Sequence, residues 1–250
     1  MSELTELLGV SDMTVRRDLD VLARHGLIEK VHGGATLASA PSLDEPGFEA
    51  KSSRELSEKE AIAQTAARLV RSGTAIAISA GTTTWALARY IMNVRELTIV
   101  TNSIRVADVL QQAPGSPTVI LTGGVRTPSD AMVGPVADLA IRSLHFDTLF
   151  LGCHGMDPRA GLTTPNLAES ETNRCFIRGA RQVVLTADHT KWGTVGLSSF
   201  ANLDEVDVLI TDPGLSDDDR ATASEHIDRV IVAGADLDDQ PGPLATVRQI

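Results

Sequence analysis

Residues 75–84 read AIAISAGTTT, an apolar run that passes through a Gly- and Thr-rich turn into a helical pattern. The same order of apolar run and small polar loop returns at LTIVTNS (97–103), TVILTGG (118–124) and DTLFLGCHGM (147–156). Helical patterns separate these runs, which indicates repeated βαβ units. We therefore predict an α/β fold whose mainly parallel sheet is covered by helices on both faces.

This alternation extends over residues 58–233, which we predict to form one large domain. Helices are predicted at Glu58–Arg71, Thr84–Ile91, Ser103–Leu110, near Val136–Leu144, at Glu169–Ala180 and after a capping residue, Ser216. Further strands are predicted at QVVLT (182–186), VDVLIT (206–211) and RVIVA (229–233). The remaining residues, 234–250, show no periodicity and are predicted to form a flexible tail.

The composition limits the possible classes of protein. A chain of 250 residues that is 42% hydrophobic and 22% charged is globular, and it is long enough for a large and a small domain. A net charge of −11 argues against a protein that coats nucleic acid or membranes, although a local basic face stays possible. Two cysteines, Cys153 and Cys175, lack the spacing of a zinc site or a disulfide framework. The N-terminus shows no export signal, so we expect a cytoplasmic protein without metal or cofactor.

The first 37 residues predict a small separate domain. Ser2 is a suitable N-cap for a helix that ends at Gly9, and Ser11 for a second helix that reaches His25. On this second helix Val15, Leu19 and Leu22 share one face, while the opposite face carries Met13, Arg16, Arg17, Asp20 and Arg24. The sequence LIEKVHGGATL then predicts a two-stranded hairpin. Residues 38–57, rich in Pro, Gly, Ser and charge, are predicted to be a linker.

A helix-turn-helix followed by a hairpin is the layout of a winged helix, whose second helix enters the major groove of DNA. Arg16 and Arg17 are the expected readers, since Arg bonds guanine bidentately, and Met13 or Thr14 could contact a thymine methyl group. A small helical cap with solvated arginines is the alternative. Residues 1–40 carry four basic and six acidic side chains, so DNA affinity must come from locally placed arginines and helix N-termini.

The loops after the strands predict a ligand site, because parallel strands place their carboxyl ends at one edge of the sheet. Thr82, Thr83 and Thr84 open a helix there and offer amides and hydroxyls to an anion such as phosphate. Any one of these loops fits an ordinary turn or cap better, whereas four at one edge favour a ligand site. The sequence contains neither GxGxxG nor a Walker A motif, which argues against dinucleotides and nucleoside triphosphates.

The run ELTELLGVSDMTVRRDLDVLARHGLIEKVHGGA (3–35) resembles the DNA-binding signature of the DeoR family of bacterial transcriptional regulators. The resemblance continues to about residue 233 through GTTT (81–84), TNS (101–103), LTGG (121–124), GMD (155–157) and ITD (210–212), and through Glu58, Lys59, Glu169, Glu171, Asp188 and Lys191. It implies a winged-helix DNA reader joined to a sensor domain with the fold of ribose-5-phosphate isomerase. Such a sensor binds a phosphorylated sugar or sugar-like metabolite, which alters operator affinity.

Carried over to this sequence, the resemblance implies two sets of site residues. The DNA-binding set is Ser11, Met13, Thr14, Arg16, Arg17 and His32. The effector-binding set is Ser79, Gly81, Thr82, Thr83, Thr84, Asn102, Gly123, Gly124, Gly155, Glu169 and Lys191. Within it, GTTT would hold the phosphate and Lys191 would approach a phosphate or hydroxyl oxygen.

The sequence departs from the family in three places. Ser79 stands where members generally have Asp, and Asn173 where many have Lys, so the effector need not be one of the usual ones. A helix of about twenty residues that precedes the signature in the family is missing here. We expect that the natural start lies upstream; the alternative is that the first helix was lost. If the chain begins at Met1, we expect residues 1–37 to be partly mobile and to bind DNA poorly.

An isomerase-like enzyme acting on phosphosugars is the alternative function. It would need a general base, for which Glu169 is the candidate, and an acid pair with a lysine nearby. Instead Asp157 stands alone and Arg159 is the nearest cation. We therefore predict a non-enzymatic transcriptional regulator, a repressor of carbohydrate metabolism genes. Its expected partners are double-stranded operator DNA, a phosphorylated sugar and further copies of itself in a dimer or tetramer, because operators are read as paired half-sites.

Overall fold

The computed structural model of this chain describes residues 5, 7, 9–24, 28–31, 34–37, 45 and 47–234. The chain divides into two compact units, residues 1–44 and residues 45–250. The predicted tail from residue 234 lies outside the described residues except for Gly234 itself. Among the described helices, none combines the length and the apolar character that crossing a bilayer requires.

The first unit contains the predicted helix and hairpin. Helix α1 (Asp12–Arg24) begins after Ser11, whose Oγ accepts a hydrogen bond from the amide of Thr14 at 3.2 Å. Strands β1 (Ile28–Val31) and β2 (Gly34–Leu37) pair antiparallel. Of the predicted helix 2–8, the structure describes Thr5 and Leu7, both helical. Gly9 follows with φ +64°, and its amide donates to the carbonyl of Thr5, as expected at a helix C-terminus.

A seven-stranded parallel sheet forms the centre of the second unit, so the predicted α/β class is confirmed. Its strands are β3 (Ala75–Ile78), β4 (Thr98–Thr101), β5 (Thr118–Leu121), β8 (Thr148–Leu151), β11 (Val183–Thr186), β13 (Val208–Thr211) and β14 (Arg229–Val232). They lie in the order β14-β13-β11-β8-β3-β4-β5, and every neighbouring pair is parallel. The predicted apolar runs all lie in this sheet.

Two small antiparallel sheets are additions that the sequence did not predict. The first pairs β6 (Val125–Arg126) with β7 (Met132–Val133), and the second has the order β12-β10-β9, from Ser198–Ala201, Gly161–Thr164 and Gly155–Asp157. These strands have two to four residues each, too few for alternation to be recognised in the sequence.

Helices cover both faces of the large sheet. They are α2 (Phe48–Ser52), α3 (Leu56–Ala67), α4 (Thr82–Tyr90), α5 (Ile104–Gln111), α6 (Pro135–Arg142), α7 (Leu167–Gly179) and α8 (Asp217–Ser224). One buried cluster joins α6 and α7 to the sheet through side chains such as Ile141 and Phe176. The other joins α3, α4 and α5 to the opposite face through Ile62, Leu87 and Val106.

The predicted linker is wrong in its second half. Residues 48–52 form helix α2, and α3 begins at Leu56 rather than Glu58. The physical reason is a tertiary contact, because Phe48 is buried with its ring 5.6 Å from that of Trp85, in an edge-to-face arrangement. Helix α3 also ends at Ala67, four residues before the predicted end at Arg71.

Candidate functional site

The loops that follow β3, β4 and β8 are hydrogen-bonded to one another at the carboxyl edge of the sheet. The amide of Gly152 donates to Oγ of Ser79 at 3.1 Å, and the amide of Ala80 donates to Oδ1 of Asn102 at 2.8 Å. The structure therefore brings the predicted loops together. It also shows that these two side chains are engaged inside the protein, since Ser79 and Asn102 are both buried.

Asn102 joins two loops and holds them in place. Its Oδ1 accepts from Ala80, its Nδ2 donates to the carbonyl of Met132 at 3.2 Å, and its own carbonyl accepts from the amide of Met132 at 2.7 Å. A side chain with both ends bonded to backbone is a positioning residue. We interpret Asn102 and Ser79 in the same way, as residues that fix the loops from which other groups reach a ligand.

The four residues of GTTT lie at the start of helix α4 and differ in their exposure and in their hydrogen bonds. Gly81 is the N-cap, and Thr82 is partly exposed. Thr83 is nearly buried, while the hydroxyl of the fully buried Thr84 donates to the carbonyl of Ser79 at 2.7 Å. Because the first amides of a helix have no partner within it, Thr82 and Thr83 are the members of this motif best able to bind an anion.

Two of the predicted site glycines are required by packing. A Cβ at Gly124, which has φ +118°, would lie 2.6 Å from the carbonyl oxygen of Val133. A Cβ at Gly155 would overlap the carbonyl oxygen of Thr194. Gly123 also has a positive φ, of +70°, but meets no close neighbour. These contacts explain Gly124 and Gly155 without a ligand.

Three lysines converge near the carboxyl edge. Lys191 lies on a short 3₁₀ helix (His189–Lys191) after β11, Lys59 on α3 and Lys51 at the end of α2. Lys191 interacts electrostatically with both of the others. Burial lowers the pKa values of Lys51 and Lys59, while nearby carboxylates oppose this change. Lys51 was not predicted because it lies in the supposed linker.

The ammonium group of Lys59 has an internal role. It donates to the carbonyl of Lys51 at 2.8 Å and also to that of Arg54, although Lys59 is only 4% exposed. Carbonyl groups at the end of a short helix need such donors. Lys59 therefore fixes the segment that carries Lys51.

Two carboxylates face these cations. Asp188 is fully buried, and its Oδ1 accepts from the amide of Thr190 at 3.1 Å, whereas its Oδ2 has no hydrogen-bond partner among the described residues. Glu169, near the start of α7, has its pKa raised to about 7 by burial, with Lys51 lowering it and Glu45 raising it further. A buried, unpaired carboxylate oxygen is costly unless a donor reaches it, which is typical of a binding site.

The sequence analysis did not assign Asp188 to the site, although its position shortly after a strand is a usable signal. Asp188 lies two residues after the end of β11, in the loop that corresponds to the one after β3, so the same rule of polar residues at strand ends would have found it.

The turn that carries Lys191 is hydrogen-bonded to Asp212, the residue that follows β13. The backbone amide of His189 donates to Oδ1 of Asp212 at 2.7 Å, and the Nδ1 of its ring lies 2.8 Å from Oδ2. Burial alone would raise the pKa of Asp212, but hydrogen bonds from His189 and Gly214 outweigh it and lower the pKa. The position of Lys191 is therefore set by a carboxylate that stays ionised.

Asp157, which was considered for enzymatic chemistry, has a structural role. Oδ1 of Asp157 accepts from the amides of Arg159 and Ala160 at 2.8 and 2.9 Å, which closes the turn between β9 and β10. Burial raises the pKa of the Cys153 thiol to about 12, so it is a poor nucleophile. Within the described part of the chain, no group of three or more His, Cys, Asp or Glu residues is placed to hold a metal.

In the first unit, helix α1 has the predicted faces where its side chains are described. Val15 is buried, whereas Met13 is 80% exposed. Ser11 and Thr14 are exposed and joined by their hydroxyls at 2.9 Å. Arg16 and Arg17 are exposed, and Nε of Arg16 lies 2.8 Å from Oδ2 of Asp12. His32 lies outside the described residues.

The sequence matches two family models that together cover most of it. The model described as the DeoR C terminal sensor domain matches residues 54–213, and that of the DeoR-like helix-turn-helix domain matches residues 1–40. The first match alone spans more than half of the chain. Both parts of the sequence that resemble the DeoR family therefore match models of that family.

Curated relatives agree with these matches. The HTH-type transcriptional regulator GlpR of Haloferax volcanii is 38% identical over 88% of this chain and 86% of its own length. The lactose phosphotransferase system repressor of Streptococcus mutans is 33% identical over 88% and 87%. Ribose 5-phosphate isomerase from Plasmodium falciparum superposes with a TM-score of 0.40 at 15% identity, over 56% of this chain and 54% of that one, and we draw no conclusion from this partial likeness. The chain belongs to the DeoR family of transcriptional regulators, and it is a regulator rather than an enzyme.

Proposed function

We propose that this protein is a cytoplasmic repressor of carbohydrate metabolism genes, and that a phosphorylated sugar bound at the carboxyl edge of the large sheet controls its affinity for operator DNA. The observation that carries the proposal is the lysine cluster at this edge, in which Lys191 interacts with Lys51 and Lys59. Lys59 interacts in turn with Asp188, whose buried Oδ2 has no hydrogen-bond partner among the described residues. The name of the Streptococcus mutans relative, a lactose phosphotransferase system repressor, supports a sugar-related role.

The chemistry of the cluster suits a phosphate ester of a sugar. A phosphate dianion is attracted by ammonium groups and by the free amides at the start of α4, where Thr82 and Thr83 lie. Sugar hydroxyls are donors, and carboxylates such as Asp188 and Glu169 accept from them. A site with ammonium groups next to carboxylates thus fits a ligand that carries both a phosphate group and hydroxyl groups.

For the first unit we propose major-groove recognition by helix α1. Its exposed N-terminal part presents Met13, Thr14, Arg16 and Arg17, the residue types that contact thymine methyl groups, guanine and phosphate. The overall charge of −11 does not favour DNA, so specific contacts by these side chains must supply the affinity. Ser11 and His32 complete the proposed DNA-binding set.

We further propose that the protein acts as a homo-oligomer, a dimer or tetramer, because paired half-sites require at least two DNA-binding units. A candidate contact surface for a second copy contains the edge strand β5 and helix α6. Its large apolar side chains are exposed, with Val136 at 65% and Leu139 at 74%, and Ile120 and Leu121 of β5 are also exposed. Effector binding would change operator affinity through the arrangement of copies, with one coupling energy for both ligands.

Thermal unfolding of the full chain tests the sensor half of this proposal. The additives are ribose 5-phosphate, glucose 6-phosphate, fructose 1-phosphate and fructose 6-phosphate, each beside its unphosphorylated parent and beside inorganic phosphate. We expect one ester to raise the melting temperature, since a ligand at 100 times its Kd adds about 2.7 kcal/mol to stability. Lys191→Met should abolish the rise. Equal stabilisation by ester and parent would contradict phosphate recognition.

The regulatory half is tested by operator binding with and without that ester. Replacing Thr83 by Leu should remove the response to the ester while basal DNA binding is retained, because the substitution fills the start of α4 and leaves the first unit unchanged. An unchanged response of this variant would exclude GTTT from the effector site.

A further inference from the structure

The first residues of the second unit are held down beside the proposed effector site. We call Glu45 and residues 47–52 the strap. Oε1 of Glu45 accepts from Oγ of Ser129 at 2.9 Å, and Oε2 accepts from Nδ2 of Asn166 at 3.0 Å. Asn166 is the N-cap of α7 and also bonds the amide of Glu169 at 3.1 Å. One amide side chain thus connects the strap to the residue whose carboxylate faces the lysines.

Aromatic and ionic contacts fasten the middle of the strap. Phe48 packs edge-to-face on Trp85 of α4, and the guanidinium of Arg105 lies 4.9 Å above the Phe48 ring. Arg105 also forms an ion pair with Glu49 at 2.8 Å. The strap is therefore attached to α4 and α5, which both start at the carboxyl edge.

The end of the strap places a cation in the cluster. Lys59 binds the carbonyl of Lys51 at 2.8 Å, which fixes the backbone from which the Lys51 side chain extends. Lys51 interacts electrostatically with Glu169, Glu45 and Lys191. Among the described residues its ammonium forms no hydrogen bond or ion pair. A partly desolvated ammonium without a bonded partner is available to an incoming anion.

We propose that Lys51 is an effector-binding residue and that the strap forms a wall of the effector site, which the bound anion holds in place through Lys51. This inference rests on the proposed function and adds a residue and a route of regulation to it. The strap begins at the boundary after residue 44, where the second unit begins. Occupancy of the site is thereby sensed by the stretch of chain that is covalently joined to the DNA-binding unit.

The test compares the full-length chain with three variants, Lys51→Met, Lys51→Arg and Arg54→Met. The last removes one positive charge from an exposed side chain two residues beyond the strap and serves as the matched control. We expect Lys51→Met to weaken binding of the stabilising sugar phosphate at least tenfold, Lys51→Arg to restore most of it, and Arg54→Met to stay within twofold of the natural chain. Hydrogen exchange should show ligand-dependent protection of residues 47–52 in the natural chain and its loss in Lys51→Met.

A second readout needs no ligand. Because Lys51 lowers the pKa of Glu169, its replacement by Met should shift the carboxyl titration of Glu169, followed by carbon NMR, to higher pH. Ester binding by Lys51→Met within twofold of the natural chain would overturn the inference while leaving the proposed function intact. A failure of Lys51→Arg to restore binding in a folded protein would also overturn it. If no ester binds the natural chain, the proposed function fails and the inference with it, whatever the titration shows.

Discussion

Asn166 donates a hydrogen bond from Nδ2 to Oε2 of Glu45, a residue 121 positions earlier in the chain, at 3.0 Å. The other end of the same amide, Oδ1, accepts from the backbone of Ala168 and Glu169 at 3.0 and 3.1 Å. One side chain therefore caps helix α7 and fixes the strap. Capping and strap attachment can be separated by the choice of substitution.

Replacing Asn166 by Ala should remove both functions, and replacing it by Asp only one. Ala leaves the first amides of α7 without an acceptor, so we expect a loss of about 1 kcal/mol, equivalent to about 2–4 °C in melting temperature. Asp still accepts those hydrogen bonds but places a second carboxylate against Glu45. Asn166→Asp should therefore retain stability while hydrogen exchange of residues 47–52 becomes faster. Equal stability of Asn166→Ala and the natural chain would exclude the cap.

The raised pKa of Glu169 predicts a pH dependence of stability. Because the folded-state pKa of about 7 exceeds the ordinary value of 4.5, the folded protein binds a proton more readily than the unfolded one between these values. Stability from this group should rise as the pH falls from 8 to 5, by an amount on the order of 1–3 kcal/mol. Glu169→Gln should remove this component, as judged from urea unfolding at several pH values.

The control for this prediction is Glu171→Gln, on the same helix. Glu171 lies among Arg142, Arg174 and Arg178, at 3.3 to 3.7 Å, and its side chain is 36% exposed. Its variant should keep the rise in stability between pH 8 and pH 5. A pH profile that Glu169→Gln leaves unchanged would show that another group is responsible.

The strands and the edge of the sheet can be predicted because each depends on local sequence. AIAI and VVLT are apolar runs of the length of a strand, and the small polar residues that follow them must end at one edge when the strands are parallel. The same rule predicts that GTTT and Asn102 lie at one edge, and the hydrogen bond between Ala80 and Asn102 confirms that their loops meet there.

Helix α2 and Lys51 could not be predicted in this way. A helix of five residues has too little length for a periodic pattern, and it depends on the contact of Phe48 with Trp85, 37 positions later in the sequence. The sequence also gives the position of a polar residue but not its partner. Asn102 therefore has the sequence context of a ligand-binding residue, whereas its amide bonds the backbone of Ala80 and Met132.

Gly152, in the loop after β8, and Gly155, the first residue of β9, should respond very differently to replacement by alanine. At Gly155 the added methyl group overlaps the carbonyl oxygen of Thr194, so we expect a loss of about 3 kcal/mol. At Gly152 the nearest atom lies 3.9 Å from the added Cβ, and φ is not positive, so the loss should stay below about 1 kcal/mol. Chemical denaturation of both variants measures the difference. Similar losses would mean that β9 does not pack against residue 194 as described.

Arg16 can contact a base when DNA replaces Asp12 as its ion-pair partner, since both side chains are more than half exposed. On an operator selected from a random-sequence library, Arg16→Ala should weaken binding by about 1–3 kcal/mol and relax the preference at one base pair if the residue bonds a guanine. Fluorescence anisotropy against single base-pair variants at several salt concentrations measures both effects. A uniform loss on all sequences, with a shallower salt dependence, would identify a phosphate contact instead. The control is Arg68→Ala, at an exposed position of the second unit, which should leave the affinity for DNA unchanged. This result would show that the loss in Arg16→Ala comes from a local contact and not from the change in net charge.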